Sequence, residues 1–414
     1  MSKPLIFTPH WEDVSTSRMG VAQLTEMAFL GKDLRPLWHE LMDKVTDDAA
    51  GAGMGMDLSV ISQLLGDKPT GLALQDETLA LRCLFRSPCA KTPRLRVLAF
   101  AAVMDIGGNT PLEFLLQGSD IALVTYYVVP GVPMPSPMPE HDVAIVVAPD
   151  GDAASASMKT IASLVSSWPR PVLNLPGNIG LLDRDRLYQT LHGIAGLEIP
   201  QTARIGRELL GSLADGTSSP MDFLANGQFP LIARPIGSHA GFGLARIADA
   251  AALREYLAER SETEFFISPF VDYSSADGLF RKYRVVLVDD KPHACHMAIA
   301  DEWKVWYLNA DMALSVPHRM EEAVFMEMFE QEFSSRHAVA LTQMAARLGL
   351  DYVAIDCAET QDGALLVFEA DNTAIVHDMD PPSVYPYKSQ QMQKIFRAVQ
   401  AMLYRRAGVL ADAA

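Results

Sequence analysis

The sequence predicts a protein of mixed α/β and α+β class, in which a small, mostly parallel sheet is followed by helices and hairpins. Between residues 91 and 175, apolar runs typical of buried strands, such as "IALVTYYVV" (121–129), alternate with helical stretches. From residue 176 onward, helical stretches are mixed with three β-hairpins. Residues 1–90 are predicted to form helices and loops with Gly-rich breaks, as in "AAGAGMGMD" (49–57). Three domains are therefore expected, at 1–90, 91–175 and 176–410.

Composition excludes several classes of partner. The chain has 414 residues and a net charge of −17, which repels nucleic acid phosphates and anionic lipids. Its apolar runs are too short to span a bilayer, and the first residues lack the apolar core of a signal peptide. The four cysteines show neither disulfide nor zinc spacing, and no G-x-G-x-x-G fingerprint is present. A reduced, cytoplasmic protein with no nucleic acid and no membrane partner is expected.

Local signals place two features in this outline. Asn109 or Thr110 can cap a helix that has Pro111 at its first position. The second hairpin, "RKYRVVLVDDKPHACHMAIA", is expected to turn between Asp289 and Pro292.

The third hairpin, "DYVAIDCAETQDGALLVFEAD", carries a group of acids. Asp362-Gly363 is a favoured two-residue turn, and with that turn Asp356 lies directly opposite Glu369. Asp371 is two residues further along the same face. Oxygen ligands without a nearby His–Cys pattern favour Mg²⁺, or Mn²⁺ as the alternative. The alternative reading is a set of solvated acids at a sheet edge.

The first hairpin, "LIARPIGSHAGFGLARI", is a candidate phosphate-binding element. Arg234 ends a buried strand, and Gly237, Gly241 and Gly243 allow the backbone to approach an anion closely. No Gly-Lys-Ser/Thr follows, so the element is not a Walker A loop. A plain flexible turn, with His239 as a solvated residue at its tip, explains the same glycines.

Two further stretches suggest ligand contacts. "FRKYRVVLV" places Lys282 and Arg284 on one face of a strand, where cations can stabilise developing negative charge. Charged residues that guard an exposed edge strand are the alternative explanation. In "FFISPFVD" (265–272), Pro269 is expected to interrupt pairing and leave backbone groups free to contact a planar base. Core packing explains the same apolar residues equally well.

The order of these elements resembles the ATP-grasp superfamily. A strand ending in a cation and Pro, a Gly-rich loop, an apolar hinge, a cationic hairpin and then Asp…Glu-x-Asp are most similar to RimK-type and glutathione synthetase-like carboxylate–amine ligases. The resemblance covers about residues 172 to 400. The preceding α/β segment resembles the small Rossmann-like pre-ATP-grasp domain, and residues 1–90 have no clear counterpart.

The resemblance implies a set of site residues. It implies ATP phosphate contacts, a loop over the phosphates, an adenine hinge, an acyl-phosphate arginine and a magnesium triad. The phosphate contacts are Arg186 and Arg234, and the loop over the phosphates comprises Gly237, Ser238, His239, Gly241 and Gly243. The adenine hinge comprises Ser268, Phe270 and Val271. The acyl-phosphate arginine is Arg284, and the magnesium triad is Asp356, Glu369 and Asp371. Lys282 and Asn309 are further candidates near the acceptor, with Lys304. Arginines replace the usual phosphate lysines and Asp371 replaces the usual Asn, which changes the phosphate geometry and adds a negative charge.

The sequence is therefore interpreted as an ATP- and Mg²⁺-dependent ligase that joins a carboxylate to an amine through an acyl phosphate. Small-molecule carboxylate and amine substrates are expected, with a peptide as the alternative, and a homodimer is the expected assembly. Two alternatives remain open. One is a nucleotide-binding scaffold without turnover, and the other is a phosphotransferase that stops at a phosphorylated product. Neither the acid nor the amine follows from the fold.

Overall fold

The computed structural model describes residues 5–238, 241–307 and 310–409. They form two compact units. Unit 1 is drawn from Met1–Ile179, Leu350–Val353 and Asp371–Ala414, and unit 2 from Gly180–Gly349 and Ala354–Ala370. The predicted mixture of α/β and α+β structure is confirmed. The further division at residue 90 stays a prediction.

Unit 1 is built on a largely parallel sheet. The six-stranded order is β2-β3-β5-β4-β7-β8, and β1 pairs with β6 in a separate ribbon. All these pairs are parallel except β3–β5. The strands are β1 (Phe7–Thr8), β2 (Thr16–Ser17), β3 (Leu84–Arg86), β4 (Leu95–Ala101), β5 (Ile121–Tyr127), β6 (Met138–Pro139), β7 (Val143–Val146) and β8 (Val172–Leu173). Every residue of β5 and β7 is buried, as expected for strands covered on both faces.

Eight α-helices belong to the described part of unit 1. They are α1 (Val21–Phe29), α2 (Arg35–Lys44), α3 (Ala52–Leu64), α4 (Lys68–Leu81), α5 (Leu112–Leu115), α6 (Ser155–Val165), α7 (Pro176–Ile179) and α14 (Lys388–Ala407). The long helix α14 buries Ile395, Phe396, Val399 and Leu403, which recur at helical spacing. Its Tyr404 hydroxyl donates to Asp120 at 2.7 Å, so α14 is an integral part of unit 1.

The Gly-rich stretch 49–57 is not the break that the sequence predicted. It leads into α3, which is buried on nearly every face. A Cβ at Gly53 would lie 2.0 Å from the Ser17 carbonyl oxygen, and one at Gly55 would lie 2.4 Å from Thr78 Oγ1. The glycines therefore serve close packing of α3 against β2 and α4, which outweighs their low helix propensity.

The predicted helix cap at Asn109 or Thr110 is also wrong. The helix α5 begins after Pro111, which is its N-cap. The Asn109 side chain instead hydrogen-bonds to both backbone groups of Ala102. It accepts from the Ala102 N–H at 2.8 Å and donates to the Ala102 carbonyl at 3.0 Å. The amide side chain thereby mimics a strand partner just beyond β4.

Unit 2 contains two sheets. The antiparallel four-stranded sheet has the order β10-β13-β11-β12, and the second sheet has the order β15-β14-β16-β17-β9. Their strands are β9 (Leu197–Glu198), β10 (Ala203–Gly206), β11 (Leu231–Pro235), β12 (Ala245–Ile247), β13 (Glu264–Pro269), β14 (Phe280–Val288), β15 (Lys291–Ala300), β16 (Tyr352–Glu359) and β17 (Leu365–Asp371). Its helices are α8 (Arg184–Leu191), α9 (Arg207–Ala214), α10 (Ala250–Ala258), α11 (Val316–Glu327), α12 (Phe333–Arg336) and α13 (Ala338–Leu348).

The three predicted hairpins are present as β11–β12, β14–β15 and β16–β17. In β14–β15, Val288 pairs with Lys291 across Asp289 and Asp290, which both have positive φ. This two-residue turn lies within the predicted span. Within the part of the chain that the structure describes, no helix combines the length and the apolar character needed to cross a membrane.

Candidate active site

Unit 2 brings four cationic side chains and two carboxylates together, a group that we call the cation–carboxylate cluster. Each member comes from a different element, except for two cations that share one face of β14. The members are Arg184 (α8), Arg234 (β11), Lys282 and Arg284 (β14), Asp356 (β16) and Glu369 (β17). The cluster carries an excess of two positive charges, whereas the whole chain carries −17. An anionic ligand would balance that excess.

Asp356 is the buried centre of the cluster, with 3% of its surface exposed. Its Oδ1 accepts from Arg284 Nε at 2.7 Å, its Oδ2 accepts from Arg284 Nη2 at 3.1 Å, and Lys282 Nζ lies 2.7 Å from Oδ2. Burial alone would raise the pKa of Asp356, but Arg284 and Lys282 outweigh it and hold the pKa well below its usual value. The carboxylate is therefore ionised at neutral pH.

Glu369 is the second carboxylate and is only partly buried. It accepts from Arg184, and Arg234 Nη1 lies 4.0 Å from its Oε2. Burial raises the pKa of Glu369, and so does the negative charge of Asp356. The positive charges of Arg184, Lys282 and Arg234 lower the pKa by more than these two effects raise it. The net effect is a pKa below the ordinary value, so both acids of the cluster are charged.

Arg234 connects the cluster to the Gly-rich loop. It donates through Nε to Ser238 Oγ at 3.1 Å and through Nη2 to the Ser238 carbonyl oxygen. Burial and the positive charge of Arg184 lower the pKa of Arg234 to about 10. Gly237, Gly241 and Gly243 all have positive φ, as expected for a loop whose backbone must turn tightly. A cation held this way, next to another cation, is poised to receive a negative group.

The hairpin between the two carboxylates has a longer turn than predicted. The Thr360 N–H donates to the Ala364 carbonyl at 2.9 Å, so three residues form the loop, and Gly363 has a φ of 85°. The Thr360 hydroxyl stabilises this turn by donating to Asp362 Oδ1 at 2.6 Å and accepting from the Ala364 N–H at 2.8 Å. The predicted two-residue turn is therefore wrong, and the position of Asp356 directly opposite Glu369 stays a prediction. Asp356 is close enough to Glu369 for its negative charge to raise the pKa of Glu369.

Asp371, the third predicted magnesium ligand, lies at the end of β17 and belongs to unit 1. Its Oδ1 accepts from the Thr373 N–H and hydroxyl, each at 2.7 Å, so this oxygen caps the turn that follows the strand. Among the described residues, no group of three or more His, Cys, Asp or Glu side chains is arranged to hold a metal ion. A metal ligand role for Asp371 stays a prediction.

The helix α8 presents a different arginine from the one predicted. Arg186 is exposed and donates to the Gly180 carbonyl at 3.1 Å, and it is Arg184 that reaches Glu369. The two side chains are about 200° apart around the helix axis. Arg184 shares a face with the buried Leu187 and Leu191, at i+3 and i+7. This helical spacing was the sequence signal that distinguishes the two arginines.

The predicted adenine hinge retains its strand pairing at Pro269. Ser268 pairs with Ile232 and Pro269 with Leu231, and the Phe270 N–H donates to the Pro230 carbonyl at 3.1 Å. The expected interruption is therefore wrong, since Pro269 sits where its missing N–H does not end the ladder. The Arg246 guanidinium instead lies over the Phe270 ring, with its Cζ 4.3 Å from the ring centroid. Val271 packs beside the small apolar group of Tyr273, Ala358 and Leu366.

Two predicted site residues, His239 and Asn309, lie outside the described residues. Lys304 is described, and its Nζ donates to the Leu244 carbonyl at 3.2 Å, next to the Gly-rich loop. A cavity of about 450 Å³ elsewhere in unit 2 is lined by Tyr188, His192 and Glu198, among others, and by none of the predicted site residues. The candidate site is therefore assigned from the arrangement of charged side chains in the cation–carboxylate cluster and not from this cavity.

Solved structures of an ATP-grasp protein and of D-alanine ligases are similar to this chain at TM-scores below 0.5. A RimK-domain ATP-grasp protein from Sphaerobacter thermophilus is 17% identical, with a TM-score of 0.40 over 74% of this chain and 99% of that one. The VanG D-Ala:D-Ser ligase from Enterococcus faecalis is 12% identical, with a TM-score of 0.43 over 75% and 100%. The D-alanine–D-alanine ligase from Bacillus anthracis complexed with ATP is 11% identical, with a TM-score of 0.43 over 76% and 98%.

At these identities and TM-scores, the likenesses identify neither a substrate nor a reaction. No family model matches the chain. No curated protein matches it either.

Proposed function

We propose that the protein is an ATP- and Mg²⁺-dependent ligase that joins a carboxylate to an amine. In the proposed reaction, a substrate carboxylate oxygen attacks the γ-phosphorus of ATP, the bond to the bridging oxygen breaks, and ADP leaves. The amine nitrogen then attacks the acyl carbon of the acyl phosphate, inorganic phosphate leaves, and the nitrogen loses a proton. The products are an amide, ADP and phosphate.

The observation that carries this proposal is the positive excess of the cation–carboxylate cluster. Four cations and two ionised acids give the cluster a net charge of +2. Burial is the main cause of the lowered pKa of Arg234, and the positive charge of Arg184 lowers it further. A triphosphate supplies several negative charges over a span that separate cations can share. Arg184 and Arg234, beside Glu369 and the Gly-rich loop, are the proposed phosphate contacts.

The two carboxylates fit a magnesium ion in their chemistry. Mg²⁺ is usually held by one or two carboxylates together with substrate phosphates and water, so a third protein acid is not required. Asp356 and Glu369 are both ionised and offer only oxygen. When bound, the ion would neutralise charge on the phosphate oxygens. Manganese would suit the same ligands, and Asp371 is proposed as a further ligand.

The remaining roles follow from charge and position. Arg284 is proposed to stabilise the negative charge of the acyl phosphate, with its guanidinium oriented by the two-point contact to Asp356. Lys282, on the same face of β14, is proposed to assist it, and Asn309 to contact the acceptor. The substrates proposed are small molecules or a peptide, and the proposed location is the cytoplasm.

The test is product formation from Mg-ATP. The purified protein is incubated with Mg-ATP and pooled acids and amines, and ADP and condensed products are measured by mass spectrometry. Glu369→Ala should abolish turnover. Glu198→Ala, a partly buried glutamate on the edge strand β9 of the same sheet, is the matched control and should retain it.

The outcomes separate the alternatives. ADP release that requires both an acid and an amine, together with a product of condensed mass, supports the ligase. A phosphorylated acid formed without any amine indicates the phosphotransferase. Tight Mg-ATP binding without ADP release from broad pools favours the nucleotide-binding scaffold.

A further inference from the structure

The helix α11 of unit 2 carries an exposed apolar stripe. Val316, Met320 and Val324 recur at every fourth residue, and Met328 follows one residue beyond the helix end. Their exposed fractions are 56%, 66%, 54% and 36%. Residues four apart lie above one another on a helix, so the four side chains form one continuous surface, which we call the α11 stripe.

The opposite face of α11 is fully used by the fold. Glu322 and Met326 are buried, and the Met297 N–H of β15 donates to Glu322 Oε1 at 3.1 Å. The Phe325 ring lies 4.9 Å from that of Tyr283. The helix is therefore anchored by its inner face, and the α11 stripe is additional apolar surface that this packing does not require. Contiguous surfaces of this kind typically mark interaction sites.

The charges beside the α11 stripe suit a second copy of the same helix. Arg319 lies near the start of α11 and Glu327 is its last residue. In an antiparallel pair related by a twofold axis near residues 322 and 323, Arg319 of each copy approaches Glu327 of the other. An axis at residue 322 places Met320 against Val324 and Val316 against Met328, and it leaves Arg319 offset from Glu327 of the other copy by two residues, or about 3 Å along the helix. An isologous interface needs this self-complementarity, and a parallel pair would place like charges together.

We propose that the α11 stripe binds the α11 stripe of a second copy in an antiparallel, twofold-symmetric dimer. A twelve-residue helix is about 18 Å long, so a single helix pair covers less than the roughly 800 Å² per partner of a standard interface. The dimer should accordingly be reversible, with a dissociation constant of about 1 to 100 µM rather than nanomolar.

Sedimentation velocity across about 1 to 300 µM protein tests the proposal, because that range brackets the expected dissociation constant. The full chain should shift from monomer to dimer as its concentration rises. The double variant Met320→Glu/Val324→Glu should stay monomeric across the range, because two copies would bury four like charges. Leu209→Glu, at an exposed apolar position of α9, is the matched control and should dimerise as the original chain does.

A charge exchange tests the antiparallel register. Arg319→Glu and Glu327→Arg should each weaken dimerisation about tenfold, or about 1.4 kcal/mol. The double exchange Arg319→Glu/Glu327→Arg should restore it. Arg319 also donates to the Met312 carbonyl at 2.9 Å, so circular dichroism is used to verify that each variant is folded. A chain that remains monomeric throughout, or a double exchange that fails to restore the dimer, would overturn the proposal.

Discussion

At the scale of single residues, Asp356 is the charge on which the cation–carboxylate cluster depends. Asp356→Asn would keep the side-chain volume but remove the negative charge that Lys282 and Arg284 both contact. Removing one partner of a fully buried pair costs about 3–5 kcal/mol. The two cations keep 19% and 22% of their side-chain exposure, so we expect a smaller loss of unfolding free energy, about 2 kcal/mol by the same reasoning. Urea denaturation at pH 7 measures it.

The same carboxylate should make stability depend on acid pH. Its pKa in the folded state lies below the unfolded value, so its stabilisation is complete above the unfolded pKa of about 3.9 and is lost as the pH falls towards the folded pKa. The difference in unfolding free energy between the original chain and Asp356→Asn should therefore be constant above about pH 5 and shrink below about pH 4. A difference that does not vary with pH would contradict this assignment.

An exposed ion pair at the start of β14 serves as the control for the measurement at pH 7. Asp277 pairs with Arg281 at 2.8 Å, but Asp277 is largely open to solvent. Solvent screens such a pair, so Asp277→Asn should change the unfolding free energy little at pH 7. The contrast with Asp356→Asn isolates the effect of burial.

The two arginines of α8 offer a matched pair for ligand binding. Arg184 contacts Glu369, whereas Arg186 is exposed. If the cluster holds phosphates, Arg184→Ala should weaken Mg-ATP binding by at least tenfold, or about 1.4 kcal/mol, through loss of a charge-assisted contact. Arg186→Ala should change the affinity less than twofold, as is usual for a solvated charge. Isothermal titration calorimetry measures both, and equal losses would reject the assignment of Arg184.

At the scale of elements, the Gly-rich loop contains glycines with different constraints. Gly243 has a φ of 66°, and a Cβ there would lie 2.5 Å from Pro235 Cδ, whereas Gly237 has a φ of 72° and no other atom of the described residues within 4 Å of its Cβ position. Gly237→Ala should cost about 1 kcal/mol for the left-handed backbone alone. Gly243→Ala should cost more, about 2 kcal/mol or above, because the rigid proline ring must also move. Chemical denaturation of the two variants compares these costs.

Predictability from the sequence differs among elements for physical reasons. Strong alternation and continuous apolar runs were sufficient to predict all three hairpins and the parallel sheet. The length of the β16–β17 turn was not predictable from Asp362-Gly363 alone, because the Thr360 hydroxyl decides it through two hydrogen bonds. The helix α3 was missed because its glycines serve packing against distant residues, which no local propensity reports.

The cluster shows the same division between local and distant causes. Lys282 and Arg284 were predicted to share a face because strand periodicity is exact. The position of Arg184 could have been read from its spacing to Leu187 and Leu191, which a motif comparison overlooks. The contacts of Arg234 with Ser238 depend on how the loop folds back, which is a tertiary property.

At the scale of the whole molecule, ligand binding should raise stability by mass action. If Mg-ATP binds the folded chain, a concentration of one hundred times its dissociation constant adds about 2.7 kcal/mol to the unfolding free energy. ATP with a chelator should stabilise the protein less, since Asp356 and Glu369 would then face the phosphates without a metal ion between them. Differential scanning calorimetry measures the shift. An equal shift with and without magnesium would argue against metal binding at these acids.

The path of the chain through its two units has a consequence for biosynthesis. All of unit 2 has been translated once Ala370 is made, but unit 1 still lacks its last segment, which contains α14. The apolar residues of α14 fill the core of unit 1. Until α14 is synthesised, the sheet formed by the first half of the chain therefore keeps part of its apolar core exposed to solvent. We therefore expect unit 1 of nascent chains stalled before residue 388 to be sensitive to proteases and to bind chaperones that hold unfolded chains.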